Sequence, residues 1–412
     1  MANIIMCSWG QMDGAQSNMG DIVIFESMVA TIRRIDPQSR IVAFSSDPDG
    51  TRRQYGIQAF DVFTAGGATR FASELARADL VLLGGGELVQ DRSSKAYLLF
   101  NLAPGLASSI LRRPFVGYAI GVSGPEETSP AGRRLTRLVL NRAAAITVRD
   151  EPSKEYLARY GVQRPSIQLT ADAAFQLGVT NDCTWMPGLE ATGLDLSRPY
   201  AVFAVRSFGH RSGAILPGFV KRRLGLGIPA EAKAERKRLT HELARIVDHV
   251  ADRHHLQILL LPAQQKSRVA FDDTDFCDQV AQATKQPERI RILRRPTSAR
   301  CLIEYLRQAT ILVGVPLHSL ILASIAHTPM LALCYASKGE RFMNRIKMDR
   351  FAVDLYRSPM APFPTNRIMA LADELMRERT SLSAHIAKAH RELTQQADAN
   401  EAMLRRLLDS NQ

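Results

Sequence analysis

The sequence predicts an α/β protein of two Rossmann-like parallel-sheet domains facing one central cleft. Three observations predict it. The length, 412 residues, suggests two or three domains at roughly 150 residues each. Short apolar runs alternate with segments of helical periodicity, the pattern of βα units in a parallel sheet. The alternation lapses in a Gly-, Pro-, Asp- and Thr-rich stretch near residues 178–198 and then restarts.

The elements follow in chain order. ANIIMCS reads as a first strand. GDIVIFESMVATIRRI carries Ile22, Phe25, Met28, Val29 and Ile32 at helical spacing. RIVAFSS is a strand, RFASELARA a helix, and DLVLLGGGE a strand running into a glycine turn. YLLFNLAPGLASSILRR is helical with a proline interruption, and PFVGYAIGV is a strand. AGRRLTRLVLNRA is a helix, AAITVRD a strand, and EPSKEYLARYGV a helix closed by Gly161. In the second half YAVFAVRS, LQILLLPAQ and RIRILRRP are strands. They are separated by the helices LTHELARIVDHVADRH and DTDFCDQVAQAT, and SARCLIEYLRQA follows as a helix. The expected units are residues 1–185, 196–365, and a tail of amphipathic helices over 366–412.

Gln308–Ser337 contains no Asp, Glu, Lys or Arg and is long enough to span a bilayer. It also holds Pro316 and Pro329, and it reads better as strand ILVGV, helix LHSLILASIA and strand MLALCY. Thr328-Pro329 ends that helix, because proline disfavours a preceding α conformation.

Composition narrows the function. Hydrophobic residues make up 46% and charged residues 23%, which excludes a mainly disordered chain. The net charge of +12 leaves nucleic acid, an anionic membrane or small anionic substrates open. Nucleic acid fits poorly: the basic residues are dispersed, aromatics are 7%, and no binding module is present. The five cysteines are scattered and odd in number, with no C-x-x-C pair. They make neither a disulfide framework nor a zinc site, and a reducing cytoplasm fits them best. The N-terminus lacks the basic region and apolar length of a signal peptide.

The candidate chemistry lies where strands end. Asp79–Asp91 is a buried strand closing on Gly84, Gly85 and Gly86. Glycine there admits a close approach by a ligand or by another backbone and exposes N–H groups to an anion. Asp91 is either a cap or a polar group aimed at the cleft. Asn18, Gly20 and Asp21 open a helix after the first strand, as a cap or as an anion or hydroxyl site. Arg149 ends a strand as an ion-pair partner or ligand clamp. Arg206 and Arg211 stand at and just after another strand end, where an anion would bind. His318 lies where a strand turns into a helix, a place for a general acid or base or for a structural histidine. Lys338 follows the next strand. Together these suit a small molecule bearing phosphate or carboxylate.

With these motifs in order, the chain resembles the polysaccharide pyruvyl transferase family. The carriers are NMGD at 18–21, ADLVLLGGGELVQD at 78–91, GYAIGVSGP at 117–125, and RRLTRLVLNRAAAITVRDEPSKEYL at 133–157. They continue with LTADAAFQL at 169–177, AVRS at 204–207, LLPAQ at 260–264, and GVPLHSLILAS with CYASKG at 314–339.

The resemblance implies a GT-B-like fold, with the first domain on the acceptor side and the second on the donor side. It implies transfer of a pyruvyl group from phosphoenolpyruvate to a sugar diol as a ketal, in cell-surface or exopolysaccharide synthesis. Arg206 and His318 then belong to the donor site and Asp91 faces the same cleft. His318 is the candidate acid for C3 of the donor and Asp91 the acceptor of a hydroxyl proton. Phosphoenolpyruvate is a substrate; no cofactor and no metal is called for. The saccharide acceptor is either free or lipid-linked, and the Arg-rich 133–142 segment leaves peripheral membrane contact open.

The chain departs from the family chiefly at one position, and more mildly in a long first loop over residues 9–17. Pro316-Leu317-His318 stands where the family carries Arg-Leu-His, and proline cannot supply the guanidinium's charge or donors. Either another cation, Arg211, Lys338 or Arg341, takes over, or the donor or the activity has changed. The competing readings are a GT-B glycosyltransferase using a nucleotide sugar, and a catalytically altered relative.

Overall fold

A computed structural model describes residues 2–7, 18–45, 47–91, 95–178, 186–206, 230–265, 273–294, 297–355 and 362–410. The first sheet contains β1 (Asn3–Cys7), β2 (Arg40–Phe44), β3 (Gln58–Phe60), β4 (Leu80–Gly84), β5 (Glu87–Val89), β6 (Phe115–Val122), β7 (Ala145–Val148) and β8 (Ile167–Leu169). Their order is β3-β2-β1-β4-β6-β7-β8, with β5 paired to β6. The second sheet contains β9 (Tyr200–Val205), β10 (Gln257–Pro262), β11 (Ile290–Ile292), β12 (Leu312–Gly314), β13 (Met330–Cys334) and β14 (Ala352–Asp354). Its order is β11-β10-β9-β12-β13-β14. All the pairings are parallel. Both sheets are doubly wound, with a switch in strand order beside β1 and β9, where ligands of such sheets bind.

Helices connect the strands. In the first domain they are α1 (Met19–Ile35), α2 (Pro48–Tyr55), α3 (Gly67–Arg77), α4 (Lys95–Ile110), α5 (Pro130–Leu140) and α6 (Glu151–Arg159). A short α7 (Met186–Glu190) lies in the stretch expected to be loop. The second domain carries α8 (Ala230–His254), α9 (Thr274–Ala283), α10 (Ala299–Gln308), α11 (Leu317–Ala326) and α12 (Ser337–Arg345). Helices α13 (Thr365–Arg377) and α14 (Arg379–Asp409) follow.

Local chemistry sets the helix starts. Asn18 Oδ1 accepts from the Gly20 amide at 3.0 Å, and Asp150 Oδ1 accepts from Ser153 at 2.9 Å. Pro130 and Pro152 occupy first-turn positions, where no amide is needed.

The central strands are buried on both faces, so they read as continuous apolar runs. On β1, Ile4 and Met6 pack on one side of the sheet and Ile5 and Cys7 on the other. The charge-free segment Gln308–Ser337 folds as β12–α11–β13, and no helix among the described residues is long and apolar enough to cross a membrane.

The domains are closely joined. The Met19 amide donates to Ala263 O at 2.9 Å, and Asn18 bridges Gln264. Glu26 of α1 accepts from the Ala299 amide of α10 at 2.8 Å. Helix α14 packs Leu382, Ile386 and Leu393 into the second domain's core. Its far end, Met403, Leu404 and Leu408, packs into the first domain's core. The tail expected over 366–412 therefore runs back across the molecule.

Candidate active site

The strand ends of both sheets converge on one charged cleft. Arg149 and Asp150 follow β7, Asp172 follows β8, and Glu87 opens β5. From the second domain come Arg206 after β9, His318 after β12, and Tyr335, Lys338 and Arg341 after β13.

Arg149 is the most deeply placed cation. Its Nη1 donates to Asp172 Oδ2 at 3.1 Å, and both side chains are 5% exposed. Its Nε is 4.0 Å from Asp150 Oδ2 and is buried without a hydrogen-bond partner among the described residues. Gly121 makes room for it, since a Cβ there would stand 2.7 Å from Arg149 Nη2. Arg345 donates to the carbonyl oxygens of Arg149 and Thr170, tying α12 to the same corner.

His318 occupies the first turn of α11, with Nε2 buried, 3.8 Å from Asp172 Oδ2, and without a hydrogen-bond partner among the described residues. Burial pushes its pKa down to about 4; Asp172 pulls upward, while Arg149 and Lys338 add to the fall. With these neighbours the imidazole is neutral at pH 7. Its ring lies over Gly20, where a Cβ would come within 2.2 Å of Nδ1.

Glu87 faces the cations. Lys338 Nζ is 3.7 Å from its Oε2, Arg341 Nη2 is 3.6 Å from its Oε1, and Ser123 Oγ donates to it at 2.8 Å. Burial opposes its ionisation, but Lys338, Arg149, Ser123 and Arg341 outweigh burial and hold it at about 2. Arg341 also lies 3.6 Å from Asp150, with Nε and Nη1 buried and unbonded among the described residues.

Arg206 Nη1 donates to the Tyr335 hydroxyl at 3.4 Å, with its guanidinium 5.8 Å from that ring's centroid. Lys338 Nζ is 5.6 Å from the same centroid. Burial alone would raise the Tyr335 phenol, yet Arg206 and Lys338 bring it below its ordinary value. Asp21, in the first turn of α1, is pushed up to about 6 by burial, against the pull of Arg206 and Lys338. Arg149, Arg206, Lys338 and Arg341 are thus matched by Asp21, Glu87, Asp150 and Asp172. Among the described residues these opposing charges nearly balance.

The structure brings Asn18, Gly20, Asp21, Arg149, Arg206, His318 and Lys338 to this cleft. Arg211 lies outside the described residues. Asp91 does not join them: both its oxygens are engaged by Ser129, through the amide at 2.8 Å and the hydroxyl, so it braces the start of α5. The acid of the glycine segment that meets the cations is Glu87. The glycines themselves admit helix α1 rather than a ligand. A Cβ at Gly84 would collide with Met28, and one at Gly85 with Ile24. Gly85 and Gly86 also adopt φ of 60° and 76°, where glycine is favoured. The Gly85 amide is already bonded to Tyr118 O at 2.9 Å.

Sequence reasoning missed Asp172, Glu87, Tyr335 and Tyr97. Tyr97 lies in the first turn of α4 and donates to Glu87 O at 3.4 Å. Asp172 had a signal of the kind used elsewhere, an acid just past a short apolar strand. Pro316 caps α11 without a side-chain bond; its carbonyl accepts from Ser319 Oγ at 2.7 Å. The positive charge felt at His318 comes from Arg149 and Lys338 instead.

Paired doubly wound domains with a charged cleft at their strand ends define a protein of GT-B type. The chain belongs to the polysaccharide pyruvyl transferase family, whose model matches residues 18–337. A search of curated proteins gives no match. Among solved structures, it is similar to Anabaena HepE in complex with UDP and glucose: 12% identity over 100% of both chains, TM-score 0.59. It is also similar to UDP-GlcNAc 2-epimerase from Neisseria meningitidis bound to UDP-GlcNAc (11% identity over 99% and 100% of the two chains, TM-score 0.58). A glycosyltransferase from Rickettsia africae is a third, with 12% identity over 99% and 97% and a TM-score of 0.55. At such identity these likenesses show the fold.

Proposed function

We propose that the protein transfers a pyruvyl group from phosphoenolpyruvate to two hydroxyls of a saccharide, forming a ketal and releasing phosphate. The observation that carries this reading is the set of cations, Arg149, Arg206, Lys338 and Arg341, around buried His318 in a member of this family. A donor with a carboxylate and a phosphate needs such fixed cations.

The site's acids and bases suggest the proton path. An anionic donor among these residues raises the pKa of His318, so donor binding is coupled to proton uptake there. His318 then gives that proton to C3 of the donor as the first hydroxyl oxygen bonds to C2. Asp21, titrating near 6, accepts that hydroxyl's proton; a base of this strength suits neutral pH. The second hydroxyl oxygen bonds to C2 as the C2–O–phosphate bond breaks, and its proton leaves with the phosphate. Glu87, held at about 2, stays ionised and acts as a fixed counter-charge.

The test is phosphoenolpyruvate-dependent phosphate release with candidate glycans, with the ketal methyl read by NMR. Failure to bind phosphoenolpyruvate, with tight binding of another donor, would end this reading. Pro316 and the likeness to UDP-bound structures favour a second reading, a glycosyltransferase using a nucleotide sugar. It is distinguished by UDP binding in the same titration.

A further inference from the structure

We propose that the outer face of α4 and α5 docks this protein onto the surface of an anionic lipid bilayer. Leu99, Ala103, Leu106 and Ile110 are spaced four, three and four residues apart, which places them on one stripe of α4. Leu99 is 54% exposed and Ile110 73%. Leu111, just past the helix, is 44% exposed, and Leu138 on α5 is 46% exposed. Phe63, 62% exposed, stacks on Phe100 of α4 with ring centroids 5.6 Å apart. Single exposed apolar residues are ordinary on any protein. Here the large exposed apolar residues among those described gather on this one region, with Met186 the exception.

The two helices present a common outer surface. Leu98 and Leu102 of α4 and Val139 and Leu140 of α5 are buried in the same core cluster, so their opposite sides face outward together. Neither helix carries an acidic residue. Arg113 is bonded to the carbonyl oxygens of Ala76 and Ala78, and Arg133 lies over the Tyr160 ring. Arg112, Arg134, Arg137 and Arg142 remain exposed around the apolar stripe.

Apolar side chains ringed by arginine suit the boundary of a bilayer, where the former enter the acyl edge and the latter meet anionic headgroups. A second copy of this face is a poorer occupant. A two-fold contact would set arginine against arginine. Nucleic acid is poorer still, because the centre of the face is aliphatic. The first turn of the same helix holds Tyr97 against Glu87, so a docked α4 would lead from the lipid surface to the cleft. The inference is independent of which donor the cleft takes.

The experiment is co-sedimentation of the full chain with phosphatidylcholine vesicles, with and without phosphatidylglycerol. Binding is expected to the anionic vesicles and to weaken as salt is raised. The pairs Leu99→Gln with Ile110→Gln and Arg112→Gln with Arg134→Gln are each expected to weaken it about tenfold or more. All four positions are exposed, and circular dichroism melts of both pairs should match the parent. Absence of binding to anionic vesicles would overturn the proposal, as would binding that neither pair weakens. So would sedimentation equilibrium showing self-association that Leu99→Gln with Ile110→Gln abolishes, which would make the face a homodimer contact.

Discussion

Gly20 and His318 belong to different domains and lie in contact, the helix backbone at Gly20 forming the floor beneath the imidazole. A methyl group there must displace the ring. Gly20→Ala gains about 1 kcal/mol of helix propensity and loses about 1–3 kcal/mol to overpacking. Urea unfolding should therefore show a net loss of about 0–2 kcal/mol, while turnover under the proposed reaction falls at least about tenfold through misplacement of the imidazole. His318→Ala should abolish turnover and leave the fold intact. Full activity in either variant removes the imidazole from the chemistry.

The Arg149–Asp172 pair is buried on both sides, so its halves are not independent. Asp172→Ala leaves a guanidinium in a low-dielectric site with its main partner gone, a loss of about 3–5 kcal/mol for such pairs. Asp172→Asn keeps an acceptor for the Ala174 amide and should be milder. An unchanged denaturation midpoint in Asp172→Ala would refute the pair's structural role.

Glu26 tests the seam between domains. Its ordinary pKa of 4.5 is raised to about 7, first by burial and against bonds from Ala299 and Tyr55. A carboxyl raised in the folded state binds protons more tightly there, so its contribution is present below pH 4.5. That contribution is lost as pH rises toward 7. Glu26→Gln does not titrate. Its stability relative to the parent should climb across that window, by at most about 1.4 kcal/mol per pH unit. A flat difference between the two proteins would count against the shift.

The histidine pair behind α11 carries the opposite sign. His327 Nε2 and His390 Nδ1 are 2.9 Å apart, and His390 also lies against Phe175. Burial, His327 and Arg391 push His390 down to about 4, and burial and Arg391 lower His327 as well. The unfolded chain takes up the proton first, so stability is lost as pH falls from 6.5 toward 4. His390→Phe should lessen that loss in pH-dependent urea melts; an identical acid limb in both proteins would refute this account.

How much was legible follows from the reach of each signal. Parallel strands buried on both faces announce themselves as apolar runs, so β9, β10 and β13 stood out. The three-residue strands β3, β5 and β8 went unread, whereas β11 and β12, equally short, sit within longer strand-like segments. Asn18, Arg149, Arg206, His318 and Lys338 were found because strand ends are where such folds bind. Asp91 and Glu87 flank one short strand and look equivalent in sequence. What separates them is that Ser129 lies against one and Lys338 with Arg341 against the other. Asp172 acquires its meaning from Arg149, a partner it meets only through the β7–β8 pairing.

Helix α14 grips the second domain with its first turns and the first domain with its last. Asn400 between them is bonded to Thr170 and Ala171. Neither domain can then lose its core without stripping apolar surface from the other. Heat should melt the chain in one calorimetric transition, and each half borrows cooperativity from its neighbour.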